Sequence, residues 1–172
     1  MANTNQPKGF RPLNVREAAC NQYNMNSAET TKEGDLVYMN PAGAITGTYD
    51  AAYPMVGIQA APFTTNGIVP STYSAVSGSV VSIWDDPNTE FIGQISSYAA
   101  TNPVTTWTTS ACFDVAGSAG AQYINASASS QDNFRILRLA AEYDTGKISA
   151  VGAYAKVVCK INPKGHLAST QS

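Results

Sequence analysis

The residues that could do chemistry are few and far apart. His166 is the only histidine and lies near the C-terminal end among Asn162, Pro163, Lys164 and Gly165. A Ser-His-Asp or Cys-His arrangement would have to use it as base, and a terminal tail lacks the locked geometry that role needs. No Gly-x-Ser-x-Gly elbow, no Gly-x-x-x-x-Gly-Lys-Ser/Thr phosphate loop and no His-Glu-x-x-His zinc motif occurs. Gly146-Lys147-Ile148 lacks both the leading glycine and the hydroxyl. The expectation is a non-enzymatic chain with no catalytic residues, no metal and no cofactor.

Asp85 and Asp86 are the only adjacent carboxylates and invite a reading as calcium ligands or as an acid/base pair. Neighbours in an extended chain point to opposite faces, so both reach one ion only if the backbone turns sharply. Pro87 permits such a turn, but Asp before Pro and Asn is an ordinary turn signal, and the turn is the favoured reading. Cys20, Cys112 and Cys159 are odd in number and without a Cys-x-x-Cys pair, so free thiols are expected. Cys159 alternates with Val157 and Ile161 as a small buried apolar residue would. Trp84 and Trp107, with Tyr49, Tyr53, Tyr73 and Tyr98, could form an aromatic platform for sugars. Their scatter favours packing instead. Asn125-Ala126-Ser127 is a glycosylation acceptor only in a secreted chain.

The elements that must position these residues follow from composition and period. A chain of 172 residues makes one domain with appended arms. It is 44% hydrophobic but only 13% charged, against about 25% for an ordinary soluble domain. Ser, Thr, Asn, Gln and Ala fill 64–79, 96–111 and 117–133, and a surface poor in charge suits lasting contact with other protein. The net charge of −2 with scattered basic residues leaves no footprint for nucleic acid. The first residues lack the charged start and apolar run of a signal peptide, and nowhere do about 18 apolar residues run together. The expectation is a soluble chain made in a cytoplasm, with no membrane partner.

Residues 1–33, with Pro7 and Pro12, show neither a two-residue nor a 3.6-residue apolar period and read as an extended arm. Phe10, Leu13, Val15, Tyr23 and Met25 are too far apart to build a core and would each fill a pocket on a neighbouring molecule. From Gly34 onward short β-type runs alternate with Gly, Pro and Asn: Asp35–Met39, Met55–Ala60, Gly78–Trp84, Glu90–Ile95, Ala111–Val115, Phe134–Tyr143 and Tyr154–Asn162. Seven or eight strands without a helix predict an all-β fold, a single antiparallel β-barrel or jelly-roll-like sandwich spanning 34–163. In the last run Ala155, Val157, Cys159 and Ile161 face a core, while Tyr154, Lys156, Val158 and Lys160 face outward. In Phe134–Tyr143, Leu137, Leu139 and Ala141 share one face, with Arg138 and Glu142 on the other.

Turn chemistry is expected at Pro41-Ala42-Gly43, Asn66-Gly67, Asp85-Asp86-Pro87-Asn88 and Asp144-Thr145-Gly146-Lys147, consistent with antiparallel meanders. The stretch 117–133 reads as a long surface loop, and 164–172 as a C-terminal tail.

Several segments, in order along nearly the whole chain, resemble a family of tailed-phage head proteins. They are Met1-Ala2-Asn3-Thr4 with Pro7-Lys8-Gly9-Phe10-Arg11-Pro12; Gly34-Asp35-Leu36-Val37; Asp85-Asp86-Pro87 with Phe91 and Gln94; Arg135-Ile136-Leu137; and Val158 to His166. These are similar to capsid decoration or cement proteins. The resemblance implies a β-barrel or jelly roll, a homotrimer on the outer surface of the phage head, and the major capsid protein as partner. It further implies that Phe10, Arg11, Leu13 and Val15 of the arm contact the capsid. The chain departs from the pattern at Arg138 and at Pro163-Lys164-Gly165. The alternative is a carbohydrate-binding module on the virion surface.

Overall fold

The structure, a computed structural model, describes residues 8–14, 18–25, 31–60, 80–96, 112–126, 132–140 and 152–163. Among these residues the named elements are all strands: β1 (Arg11–Pro12), β2 (Cys20–Asn24), β3 (Leu36–Met39), β4 (Ile45–Thr46), β5 (Met55–Gln59), β6 (Val80–Trp84), β7 (Phe91–Gln94), β8 (Cys112–Ala116), β9 (Tyr123–Asn125), β10 (Phe134–Leu139) and β11 (Lys156–Ile161). They form a six-stranded sheet in the order β1-β7-β11-β10-β8-β9 and a five-stranded sheet in the order β2-β6-β5-β3-β4. Every ladder is antiparallel. The two sheets pack face to face, which resolves the expected barrel or sandwich in favour of the sandwich.

The core between the sheets follows from alternation. Leu36, Tyr38 and Ile58 of the five-stranded sheet meet Phe91, Phe134, Ile136, Val157, Cys159 and Ile161 of the six-stranded sheet, all buried. β11 keeps the expected inward set of Ala155, Val157, Cys159 and Ile161, each fully buried. Val158 points the other way and is buried too, although the alternation places it on the outward face. The five-stranded sheet is also apolar on its second face, where Met25, Val37, Ile45, Val56, Val81 and Ile83 cluster. It curls far enough that Met25, just past β2, makes a single parallel bridge with Ile45 of β4.

β10 departs from the expected faces. Phe134 and Ile136 pair with Ile161 and Cys159, then the register shifts so that Arg138 faces Val158 and Leu139 faces Val157. Leu137 is therefore the extra residue of a β-bulge, and the inward set becomes Phe134, Ile136 and Leu139. A bulge reverses the parity of a strand partway along, which a two-residue period cannot register. Ala141 and Glu142 lie outside the described residues, as do the turns at Asn66-Gly67 and Asp144–Lys147.

The stretch 117–133 is not one loop. Tyr123–Asn125 returns as β9 against β8, with Asp114 opposite Asn125 and Ala116 opposite Tyr123. Ile124 is fully buried. Gly117 at φ +105° helps turn the chain, and Ala121 N–H donates to Ser118 O at 2.9 Å. The connection from β6 to β7 also differs from a meander, since it carries the chain from one sheet to the other.

The described part of 1–33 is built into the sandwich. β1 pairs with β7 through Arg11 and Pro12, and β2 pairs with β6 along all five residues. Phe10 is fully buried, stacked on Phe134 with ring centroids 4.3 Å apart. A Cβ on Gly93 would lie 2.6 Å from the Phe10 ring, so β7 has a glycine where the aromatic must pass. Gly9 takes φ +70° and brings the chain close enough for Phe10 N–H to donate to Gly34 O at 2.7 Å. The expectation that Phe10 and Met25 are too scattered to join a core is thereby corrected. Each is one residue delivered to a core built mostly by other strands.

Candidate functional site

Asp85 and Asp86 follow the last residue of β6, and the fold sends them to different partners. The Asp86 carboxylate accepts Asn88 N–H at 2.8 Å while its carbonyl accepts Thr89 N–H at 3.0 Å, an Asx turn as the sequence predicts. Asp85 turns instead to β2. Its Oδ2 accepts the Tyr23 hydroxyl at 2.5 Å, and Asn21 Nδ2 donates to both oxygens at 2.9 and 3.1 Å. Burial, and then the hydrogen bond and charge of Asp85, push the Tyr23 phenol above its ordinary range. The two carboxylates therefore do not converge on one point, and Asp85 ties an edge strand to its neighbour. Among the described residues no group of three or more His, Cys, Asp or Glu is placed to hold a metal.

A denser polar constellation lies at the seam between the sheets. Asp35 precedes β3 and is buried, yet both carboxylate oxygens are used. Oδ2 accepts Lys32 N–H at 2.8 Å and Oδ1 accepts Gly120 N–H, from the β8–β9 turn, at 2.8 Å. One residue on, Leu36 N–H donates to Gln122 Oε1 at 2.7 Å. Two side-chain hydrogen bonds thus clasp the start of β3 to the β8–β9 hairpin of the opposite sheet. Burial pushes the Asp35 carboxyl up, against the pull of the two N–H groups and Lys32.

Beside the clasp opens a cleft of about 200 Å³ lined by Thr31, Asp35, Gly47, Thr48, Gly117, Ala119 and Gln122. Thr31 is buried, and its Oγ1 has no hydrogen-bond partner. Sequence reasoning missed this site. The only local signal is Gly34-Asp35 before an apolar run, with Gly34 at φ +88°. Thr31, Thr48 and Gln122 come together only through the sheet packing.

The residues expected to contact a capsid scatter. Phe10 is in the core, Arg11 is exposed on β1, Leu13 is 41% exposed, and Val15 lies outside the described residues. The expected aromatic platform is not assembled among the described residues. Trp84 and Tyr38 are core residues, Tyr53 packs against the core, and exposed Tyr49 meets Tyr38 edge-on at 5.5 Å. Trp107, Tyr73, Tyr98 and His166 lie outside the described residues. None of the three cysteines forms a disulfide, and Cys159 is fully buried, its thiol pushed up by that burial. Arg138, where the chain departs from the resemblance, lies on the exposed side of β10 and pairs with Glu90 at 2.8 Å.

Compared with known proteins, the chain matches no protein-family model and no curated protein.

Proposed function

We propose that this chain is a structural subunit of a virion, a decoration or cement protein that binds the outer surface of a tailed-phage head as a homotrimer and clamps neighbouring copies of the major capsid protein. The observation that supports the reading best is β2. It is an edge strand of the five-stranded sheet, with Cys20, Asn21, Gln22 and Asn24 exposed and with neither a charged residue nor a proline along it. Edge strands of solitary proteins are usually guarded by lysine, proline or a bulge, because an open edge pairs with other chains. The low charge of the whole sequence and the exposure of Leu13, Tyr49 and Val80 point the same way. The ordered resemblance to phage head proteins supplies the partner. A repeating shell gives a symmetric oligomer several grips at once, which raises avidity by roughly 10²–10⁴.

The fold changes which residues such a contact can use. Phe10 holds the sandwich together, so Arg11 and Leu13 are the members of the expected set that the described residues leave to face a partner, and Val15 lies outside those residues. The test is to mix the purified protein with empty heads of the cognate major capsid protein and measure occupancy, beside its mass in solution. A trimer that decorates heads, and loses occupancy on Arg11→Glu with Leu13→Asp while still folding, is the expected result. A monomer that ignores heads would overturn the reading.

A further inference from the structure

We infer that the outward face of β1, β7, β11 and β10 docks on an acidic surface of another protein. Which protein supplies that surface rests on the proposed role in a virion, where it is the major capsid protein; the basic face itself does not.

The register gathers cations that the sequence scatters. Arg11 lies opposite Ile92, Ile92 opposite Val158, and Val158 opposite Arg138, so these residues form one rung across four adjacent strands. Residues directly opposite share a face, and alternation along β11 adds Lys156 and Lys160 on either side of Val158. Arg135 lies opposite Lys160. The other face of these strands carries Phe91, Phe134, Val157 and Cys159 of the core. Arg11, Arg135, Arg138, Lys156 and Lys160, half of the 10 lysines and arginines in a chain of net charge −2, thus stand together on the side away from the core. The three arginines are exposed and the two lysines half-buried, so all of them reach solvent.

No acid offsets them within the strands. β1, β7, β10 and β11 carry neither Asp nor Glu, although the chain has 12 such residues. Glu90, just before β7, pairs with Arg138 at 2.8 Å, and Asp114 on the neighbouring β8 is buried and accepts Asp132 N–H. Among the described residues Arg11, Arg135 and Lys160 have no ion-pair partner. Arg135 and Lys160 face each other directly, with side-chain bases about 5 Å apart, an arrangement that weakens a sheet. A single Glu at either position would remove the repulsion. Carboxylates of a docked partner would relieve it too, and arginine meets a carboxylate through two hydrogen bonds at once.

The surroundings of the charges favour a protein over a nucleic acid. Half-buried Ile92 and buried Val158 lie between Arg11 and Arg138, an apolar centre inside a charged rim, and arginine is enriched in such interfaces. The aromatic residues of these strands, Phe91 and Phe134, are in the core, so this face offers no ring on which a base could stack.

The experiment measures the affinity of the full 172-residue chain for empty heads of the cognate major capsid protein by co-sedimentation. It is run at about 0.1 M and about 1 M salt, where charges are screened beyond about 10 and 3 Å. Direct titrations with poly-L-glutamate and with mixed-sequence duplex DNA accompany it. Arg135→Gln with Lys160→Gln should weaken binding to heads and to poly-L-glutamate about tenfold, the worth of two exposed ion pairs. Its melting temperature should not fall, because the like-charge pair is gone. Lys8→Gln with Lys32→Gln makes the same charge change outside these strands and should leave both affinities unchanged. If the first variant folds poorly, high salt puts the same question to the parent chain. Head binding indifferent to salt and to Arg135→Gln with Lys160→Gln would overturn the basic face and leave the virion role standing. Failure to bind heads, with poly-L-glutamate still held through Arg135 and Lys160, would overturn the virion role and support the face. Binding to neither overturns both. DNA held more tightly than poly-L-glutamate, and lost in the same variant, would overturn the choice of an acidic protein.

Discussion

Gln59 sits on β5 opposite Ile83, buried, with neither its Nε2 nor its Oε1 partnered. Its register places it on the apolar second face of the five-stranded sheet, where a carboxamide gains nothing to offset its lost hydration. Gln59→Met keeps the volume and removes the two orphans, and should raise stability by about 1–3 kcal/mol in chemical denaturation. A loss of stability would show that the carboxamide has a partner in solution. Asp35 makes a second prediction at this scale. Its folded carboxyl is raised above the ordinary value near 3.8, so between that value and the raised one the folded chain holds more proton than the unfolded chain. Stability from this group is then full below pH 3.8 and is lost as pH rises through the raised value. Thermal melts of the protein against Asp35→Asn should show the difference between them changing across that window. A pH-independent difference would mean that Asp35 keeps its ordinary affinity for the proton.

Elements differ in how much of themselves they write into the sequence, and the reason is burial. β3, β5, β6 and β11 are buried along most of their length, so their residues had to be apolar or strictly alternating, and their runs are legible. β2 reads Cys-Asn-Gln-Tyr-Asn: among the described strands it has one neighbour, and four of its five residues are exposed, and a strand so placed carries no apolar period. β1 and β4 are two residues each, shorter than one full alternation. The candidate site was illegible for another reason: Thr31, Thr48 and Gln122 become neighbours through a contact between sheets, with nothing local to announce it. The edge of β2 that no other described strand pairs with yields its own prediction. Gln22→Lys places a charge on an exposed residue, so the melting temperature should stay within about 0.5 kcal/mol of the parent in stability terms. Self-association, followed by sedimentation, should fall, since lysine is a common guard of free edges. Unchanged assembly would remove β2 from the proposed subunit contact.

At the scale of the whole molecule, residues 8–25 supply one strand to each sheet. β1 extends the six-stranded sheet beside β7, and β2 closes the five-stranded sheet beside β6. Between the sheets Phe10 fills the space over Gly93, stacked on Phe134, which also meets Phe91 edge-on. An arm that merely lay along a partner could be removed at no expense to the domain, whereas this segment is part of the domain's own closure. Truncating Phe10 to alanine should cost about 3–5 kcal/mol, the usual range for a buried phenylalanine. That is a large fraction of the roughly 5–15 kcal/mol by which domains are stable. Deleting residues 1–25 removes the ring, both strands and the Met25 bridge to Ile45 together, and should abolish cooperative unfolding by calorimetry. If the shortened chain still melts in one sharp transition, the N-terminal segment is an accessory after all, and the arm expected from its polar, aperiodic sequence is the better description.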